Sequence, residues 1–180
     1  MALTKVRGGG VDNPLTLGGG AASDRSIIFD GNAQDFHIGL DDSEDKLTVG
    51  KGTALGTTTS MTFDADGQVL KPLQCAFLVQ ASTQQTNLSV GSYHDVVFGL
   101  ERFDVGGNFA SNVFTAPVTG KYQLNLTLRI DNLDTGSPYC LLYLTTSNRG
   151  YYTLVDTDIW SSDLDYHCFQ IATVADMDAN

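Results

Sequence analysis

The chain has 180 residues, 42% of them hydrophobic and only 17% charged, and its 21 acidic against 10 basic side chains give a formal charge of -11. Phosphate recognition needs clustered lysine and arginine, whereas the bases here stand singly among acids from Lys5 to Arg149. Neither a nucleic-acid partner nor an anionic membrane surface is therefore expected. No stretch approaches the roughly 20 apolar residues of a membrane span, and the opening Met1-Ala-Leu-Thr-Lys-Val-Arg-Gly-Gly-Gly10 has no apolar signal core, so membrane insertion and a secretory leader are not expected either.

Residues 1–23 are rich in glycine, with Gly8 to Gly10 and Gly18 to Gly20 flanking Val11-Asp-Asn-Pro-Leu-Thr-Leu17. Such a segment has too few apolar side chains to order itself. It reads as a flexible leader or a peptide that docks on a partner. Its glycine triplets do not follow a strand and open a helix, so they fail the context of a phosphate-binding loop.

From 24 to 71 the texture changes to short apolar pairs separated by Asp and Gly. Cut every eleven residues, Phe29-Asp-Gly-Asn-Ala-Gln-Asp-Phe-His-Ile-Gly39 aligns without a gap to Leu40-Asp-Asp-Ser-Glu-Asp-Lys-Leu-Thr-Val-Gly50, and Phe63-Asp64 begins a third, incomplete copy. Each unit predicts a strand of about five residues ending at a turn whose chemistry Asp and Gly supply. One such unit exposes a thin apolar stripe and cannot fold alone. Trimerisation about a long axis is the expected solution, with Phe29, Phe36, Ile38, Leu40, Leu47, Val49 and Phe63 facing the shared core. His37, whose counterpart in the repeat is Thr48, is expected on an exposed face.

Lys71-Pro72 closes this segment, and 72–180 forms the second expected domain. Period-two alternation is clearest at 121–130, where Tyr122, Leu124, Leu126, Leu128 and Ile130 alternate with polar residues, a half-buried antiparallel strand. Further strands are predicted at Ala76 to Gln80, Tyr93 to Phe98, Tyr139 to Thr146, Gly150 to Val155 and Tyr166 to Val174. No window shows a capped helical stripe. The chain is thus predicted to be all-β, with a sandwich or jelly roll in its second part. Cys75, Cys140 and Cys168 leave at least one thiol unpaired and are read as packing residues of a reducing compartment.

The run Phe103-Asp-Val-Gly-Gly-Asn-Phe109 followed by Phe114-Thr-Ala-Pro-Val-Thr-Gly-Lys-Tyr122 resembles the signature of C1q and tumour-necrosis-factor-like domains. Phe98, Asp104, Phe109, Phe114, Gly120 and Tyr122 lie on that pattern. Four residues separate Phe109 from Phe114 where the family usually has six, and Leu124 and Leu126 replace aromatics. The resemblance spans residues 74–180 and implies a ten-stranded jelly-roll head that forms a trimer, with Phe114 and Tyr122 near its axis or in the core beneath it. Domains of that family run some strands beyond a segment like Ala175-Asp-Met-Asp-Ala179. The expectation is a sequence cut short there, or a head lacking its last strands with one sheet edge open.

The phrases Phe36-His-Ile-Gly-Leu-Asp-Asp-Ser43 and Met61-Thr-Phe-Asp-Ala-Asp-Gly-Gln-Val69 are similar to the shafts of bacteriophage tail-fibre and short-fibre proteins. Met1-Ala-Leu-Thr-Lys-Val6 is similar to starts of fibres of marine podophage type. Together these imply a virion-located fibre made in the host cytoplasm. The leader would dock on a tail or capsid protein, the shaft would be homotrimeric, and the C1q-like head would meet a host cell-surface glycan or protein.

Little else in the sequence carries chemistry. Asp41, Asp42, Glu44 and Asp45 form an acidic run, and Asp64-Ala-Asp-Gly67 imitates the start of a calcium loop. Such a loop needs a bidentate Glu at its twelfth position, which here is Cys75, so turn carboxylates are expected, no metal or cofactor is assigned, and calcium at a trimer axis stays open. His37, His94 and His167 lack zinc-ligand spacing. Neither a nucleophile elbow nor a cysteine signature is present, and no catalytic residue is expected. Among the aromatics of the second domain, Tyr93, Tyr139, Tyr151, Tyr152, Trp160 and Tyr166 are candidates to stack on sugars or meet a protein. Trp160, in the acidic run Asp156 to Asp165, is the chosen receptor contact. The alternatives are a capsid or tail decoration protein, whose head stabilises its neighbours, and a fibre-borne polysaccharide depolymerase, which would need paired carboxylates in a groove.

Overall fold

The computed structural model describes residues 16–179, so the expected docking leader, residues 1–23, falls mostly outside the described residues. Strands and turns, without a helix, make up the described chain, which is all-β. It divides into two compact units, Met1–Gln74 and Cys75–Asn180. Pro72 sits in a turn just before the division, closed by the Gln74 N–H donating to the Lys71 carbonyl at 3.0 Å.

In the first unit, β1 (Arg25–Phe29), β2 (Phe36–Asp41), β3 (Lys46–Lys51), β4 (Thr59–Phe63) and β5 (Val69–Leu70) form one antiparallel sheet in chain order. The repeat is its construction rule. Its strand halves, Phe36-His-Ile-Gly39 and Leu47-Thr-Val-Gly50, become the neighbours β2 and β3, with Ile38 opposite Val49 and Leu40 opposite Leu47. Each apolar-Asp pair marks a strand end: Phe29-Asp30, Leu40-Asp41 and Phe63-Asp64. Asp64 shows why, because its Oδ1 accepts the N–H groups of Asp66 at 3.0 Å and Gln68 at 2.8 Å and closes the turn.

Residues directly opposite one another in a ladder share a face. The pairs Phe29–Phe36, Ile38–Val49, Leu40–Leu47 and Leu47–Phe63 therefore place all seven proposed core residues on one side, where Ile27, Met61 and Val69 join them. That side is not the one the chain covers. Phe29, Phe36, Leu40 and Leu47 are exposed, while the buried side chains of this sheet are the polar His37, Asp41, Thr48 and Thr62 on the opposite side.

The expectation of an exposed His37 is thus overturned: it is 1% exposed. The segment Gly52 to Thr58 folds back over the polar side, tied by Lys51 N–H to the Thr58 carbonyl at 2.9 Å and Gly52 N–H to the Asp35 carbonyl at 2.7 Å. His37 Nδ1 meets the Gly52 carbonyl at 2.9 Å. The repeat glycines are also not turn residues. Gly39 and Gly50 lie inside β2 and β3, where β1, the His37 ring and the covering segment together leave no room for a side chain. A Cβ on Gly39 would meet the Arg25 carbonyl and stand 2.9 Å from the Leu55 side chain, and one on Gly50 would stand 2.6 Å from His37 Nε2. Replacement of Gly50 by Ala is expected to cost about 1–3 kcal/mol through overpacking, whereas Gly19→Ala, with nothing within 4 Å, is neutral; urea unfolding followed by circular dichroism compares them.

The second unit contains β6 (Ala76–Gln80), β7 (Leu100–Val105), β8 (Phe109–Ala110), β9 (Val113–Phe114), β10 (Gly120–Leu133), β11 (Tyr139–Thr145), β12 (Gly150–Asp156) and β13 (Leu164–Met177). They pair as four antiparallel ribbons: β6 with β7, β8 with β9, β10 with β13, and β11 with β12. The predicted strands at 76–80, 121–130, 139–146, 150–155 and 166–174 each fall on one of these. Tyr93 to Phe98 does not form a strand, and β7 follows it instead. Its backbone is bound by side chains rather than by a ladder. Gln85 accepts the Val97 N–H at 2.9 Å and donates to the Asp95 carbonyl at 2.9 Å, and the Phe98 N–H donates to Asn112 Oδ1 at 2.7 Å.

The core of this unit lies between the two longest ribbons. Leu142, Phe169 and Ile171 are buried there, with Leu126, Leu128, Ile130, Cys140, Leu144, Tyr151 and Val155 packed around them. Cys140 joins this core, and burial pushes its thiol up from its ordinary value. Cys168, read from the sequence as a packing residue, is exposed, because it opposes Arg129 on the outer face of the alternating ribbon.

Candidate functional site

The signature residues of the second unit meet in one place. Phe77 of β6 stacks on Phe109 of β8, with ring centroids 5.1 Å apart, and on Phe114 of β9 at 4.8 Å. Phe98 meets Phe109 edge-on at 6.0 Å, and Phe114 meets Tyr122 of β10 at 5.4 Å. A continuous aromatic row thus joins three ribbons. Tyr122 anchors its end by donating its hydroxyl to the Val118 carbonyl at 2.6 Å.

Local chemistry holds the row in register. Asp104 accepts the N–H groups of Asn108 at 3.0 Å and Phe109 at 2.8 Å, closing the turn between β7 and β8. Ser111 and Asn112, with φ of 52° and 64°, make the two-residue turn between β8 and β9, in the left-handed backbone that tight hairpins demand. Phe77 was not singled out from the sequence; the signal was there in the Phe77-Val79 alternation of β6. Replacing Asp104 by Ala leaves two backbone donors without their acceptor and is expected to cost about 1–3 kcal/mol, read as a lower urea midpoint with an unchanged slope.

Trp160, chosen from the sequence as the receptor contact, lies in the loop between β12 and β13. It is half-buried, its ring 5.8 Å from that of His167, which in turn contacts Phe169 of the core at 4.5 Å. Its N–H closes a turn with the Thr157 carbonyl at 3.2 Å. Of the other aromatics, Tyr151 belongs to the core, while Tyr93, Tyr139, Tyr152 and Tyr166 are exposed. Tyr143, missed in the sequence, is exposed beside Tyr152, directly opposite it in the ribbon.

The loops at the ribbon ends are fastened by carboxylates. Arg149 donates to Asp176 at 2.7 Å and Asn148 donates to the Asp176 carbonyl at 3.1 Å. Asp163 accepts the Thr135 N–H and hydroxyl, both at 2.9 Å. Hydrogen bonding to Arg149 holds Asp176 below the ordinary carboxylate range, and the Thr135 amide followed by its hydroxyl does the same for Asp163. A carboxyl lowered in the folded state contributes stability above its ordinary value of 3.8 and loses it as pH falls through the folded value. The wild-type Tm is therefore expected to drop more steeply between about pH 5 and pH 3 than that of the Asp163→Asn, Asp176→Asn double variant, as scanning calorimetry would show.

Among the described residues, no three His, Cys, Asp or Glu side chains are grouped to hold a metal ion. A depression of about 270 Å³ is lined by Gln34, Lys51 to Ala54, Thr57 and Thr58, and one of about 510 Å³ by Gly150 to Thr153 and Gln170 to Thr173. Neither lining contains a carboxylate. Comparison with known proteins finds no matching family model, no matching curated relative and no matching solved structure.

Proposed function

We propose that this chain is a structural virion protein, a homotrimeric bacteriophage tail fibre. In this reading, the first unit is its shaft, the second is a jelly-roll head of C1q-like type used for host recognition, and the leader is its attachment to the tail or capsid. One observation carries the reading: the first unit has its apolar side open and its polar side buried. Side chains exposed as Phe29, Phe36, Ile27, Leu40, Leu47 and Val69 are present on the order of 500 Å² of apolar surface per copy. Covering it transfers about 12 kcal/mol of apolar area out of water at 25 cal/mol/Å², a gross gain against which the costs of association are set. Two further copies of the same side supply that cover with matching shape, as stacked repeats do.

The aromatic row from Phe98 to Tyr122 supports the C1q-like reading of the head, because it uses the residues that carry that resemblance. Display is the mechanism: the shaft gives reach, and three heads multiply weak contacts.

Sedimentation of the full chain at low micromolar concentration is expected to give a trimer. Phe36→Asp and Leu47→Asp are each expected to dissociate it, and a well-folded wild-type monomer would overturn the reading. Electron microscopy of the particle tests display itself, with heads projecting free of the shell expected and heads clamped between shell subunits favouring a decoration protein.

A further inference from the structure

The ribbon of β11 and β12 has two faces set by alternation. Cys140, Leu142 and Leu144 point into the core, and their neighbours Tyr139, Leu141 and Tyr143 share the outer face with the opposed Asp156, Leu154 and Tyr152. This outer face is open: Tyr139 is 53%, Tyr143 49%, Tyr152 67% and Leu154 50% exposed. The rings of Tyr143 and Tyr152 are inclined by only 28°, with centroids 6.4 Å apart. Gly150 permits this arrangement, because a Cβ there would collide with the Tyr143 hydroxyl and ring. The Tyr143 ring thus lies down along the ribbon beside Tyr152.

Resting on the reading of the second unit as a recognition head, we propose that this outer face is a platform for uncharged saccharides. Three observations select that occupant. The three tyrosines and Leu154 expose about 400 Å² as one flat strip along the ribbon, an area that a short run of sugar rings covers. It carries one carboxylate, Asp156, and no lysine or arginine, so it does not attract carboxylated or phosphorylated sugars. Nearly parallel aromatic rings with hydroxyl tips offer flat apolar area and polar contacts together, which matches the C–H faces and hydroxyls of a pyranose. Tyr139 and Tyr143 stand four residues apart on β11, about 13 Å, which is a path for more than one ring.

Affinity electrophoresis of the full chain through native gels containing dextran, galactomannan, xyloglucan or mannan, with anionic alginate as the contrast, tests this. Retardation by at least one uncharged polysaccharide and none by alginate is expected. Tyr152→Ala and Gly150→Ala should each weaken it at least tenfold, while Tyr152→Phe keeps it within a few-fold, all with unchanged sedimentation. Free migration in all four uncharged gels, or equal retardation of Tyr152→Ala, would overturn the proposal. A smaller assembly on Tyr152→Ala would also overturn it, by showing the face to be an interface between copies. A wild-type trimer displayed on the particle yet not retarded would remove the platform alone and leave the fibre standing.

Discussion

The first unit is governed by which side of its sheet the chain covers itself. Among the described residues, the covering segment of this five-stranded meander is Gly52 to Thr58, and it lies on the side of His37, Thr48 and Thr62. Such a small, polar segment can lie flat there only because Gly39 and Gly50 interrupt the row of side chains. Once that side is closed by hydrogen bonds and close backbone approach, nothing among the described residues of the unit is left to cover the apolar side. An open apolar side of this extent is a surface available to a partner.

The second unit solves the same problem internally. Its two longest ribbons turn their apolar faces toward each other around Leu142, Phe169 and Ile171, and the Phe77-centred row ties in the shorter ribbons. Its alternation is regular enough that each ribbon also presents a distinct outer face. On β10 and β13 that face is mixed, with Lys121 opposite Asp176 and Thr127 opposite Gln170 but Val174 and Tyr166 exposed among them. On β11 and β12 it is aromatic, a departure that core packing does not require.

Much of this was legible from residue order. The period-two run at 121–130 located β10 because a half-buried strand writes its burial directly into the sequence, and the eleven-residue repeat located β2 and β3 for the same reason. Face assignment was legible for Phe36 and Leu47 but not for His37. Which side a loop closes depends on the path of Gly52 to Thr58, and no periodicity encodes that path. Tyr93 to Phe98 carries strand-forming residues, yet side-chain bonds from Gln85 and Asn112 hold its backbone, a long-range arrangement invisible to a local window. The contact of the Trp160 ring with His167 was not legible either, because β13 delivers that histidine from outside the acidic run.

The charge of -11 then constrains how the bare apolar side can be used. In the first unit the acids cluster at strand ends and turns: Asp30, Asp42, Glu44, Asp45, Asp64 and Asp66 all lie outside the strands. None interrupts the apolar side. If copies cover this side as proposed, no carboxylate has to be desolvated between the apolar side chains, which avoids the cost of burying an unpaired charge. In the proposed assembly the carboxylates would thus stay in water at the rim of the apolar sides and keep the exterior soluble.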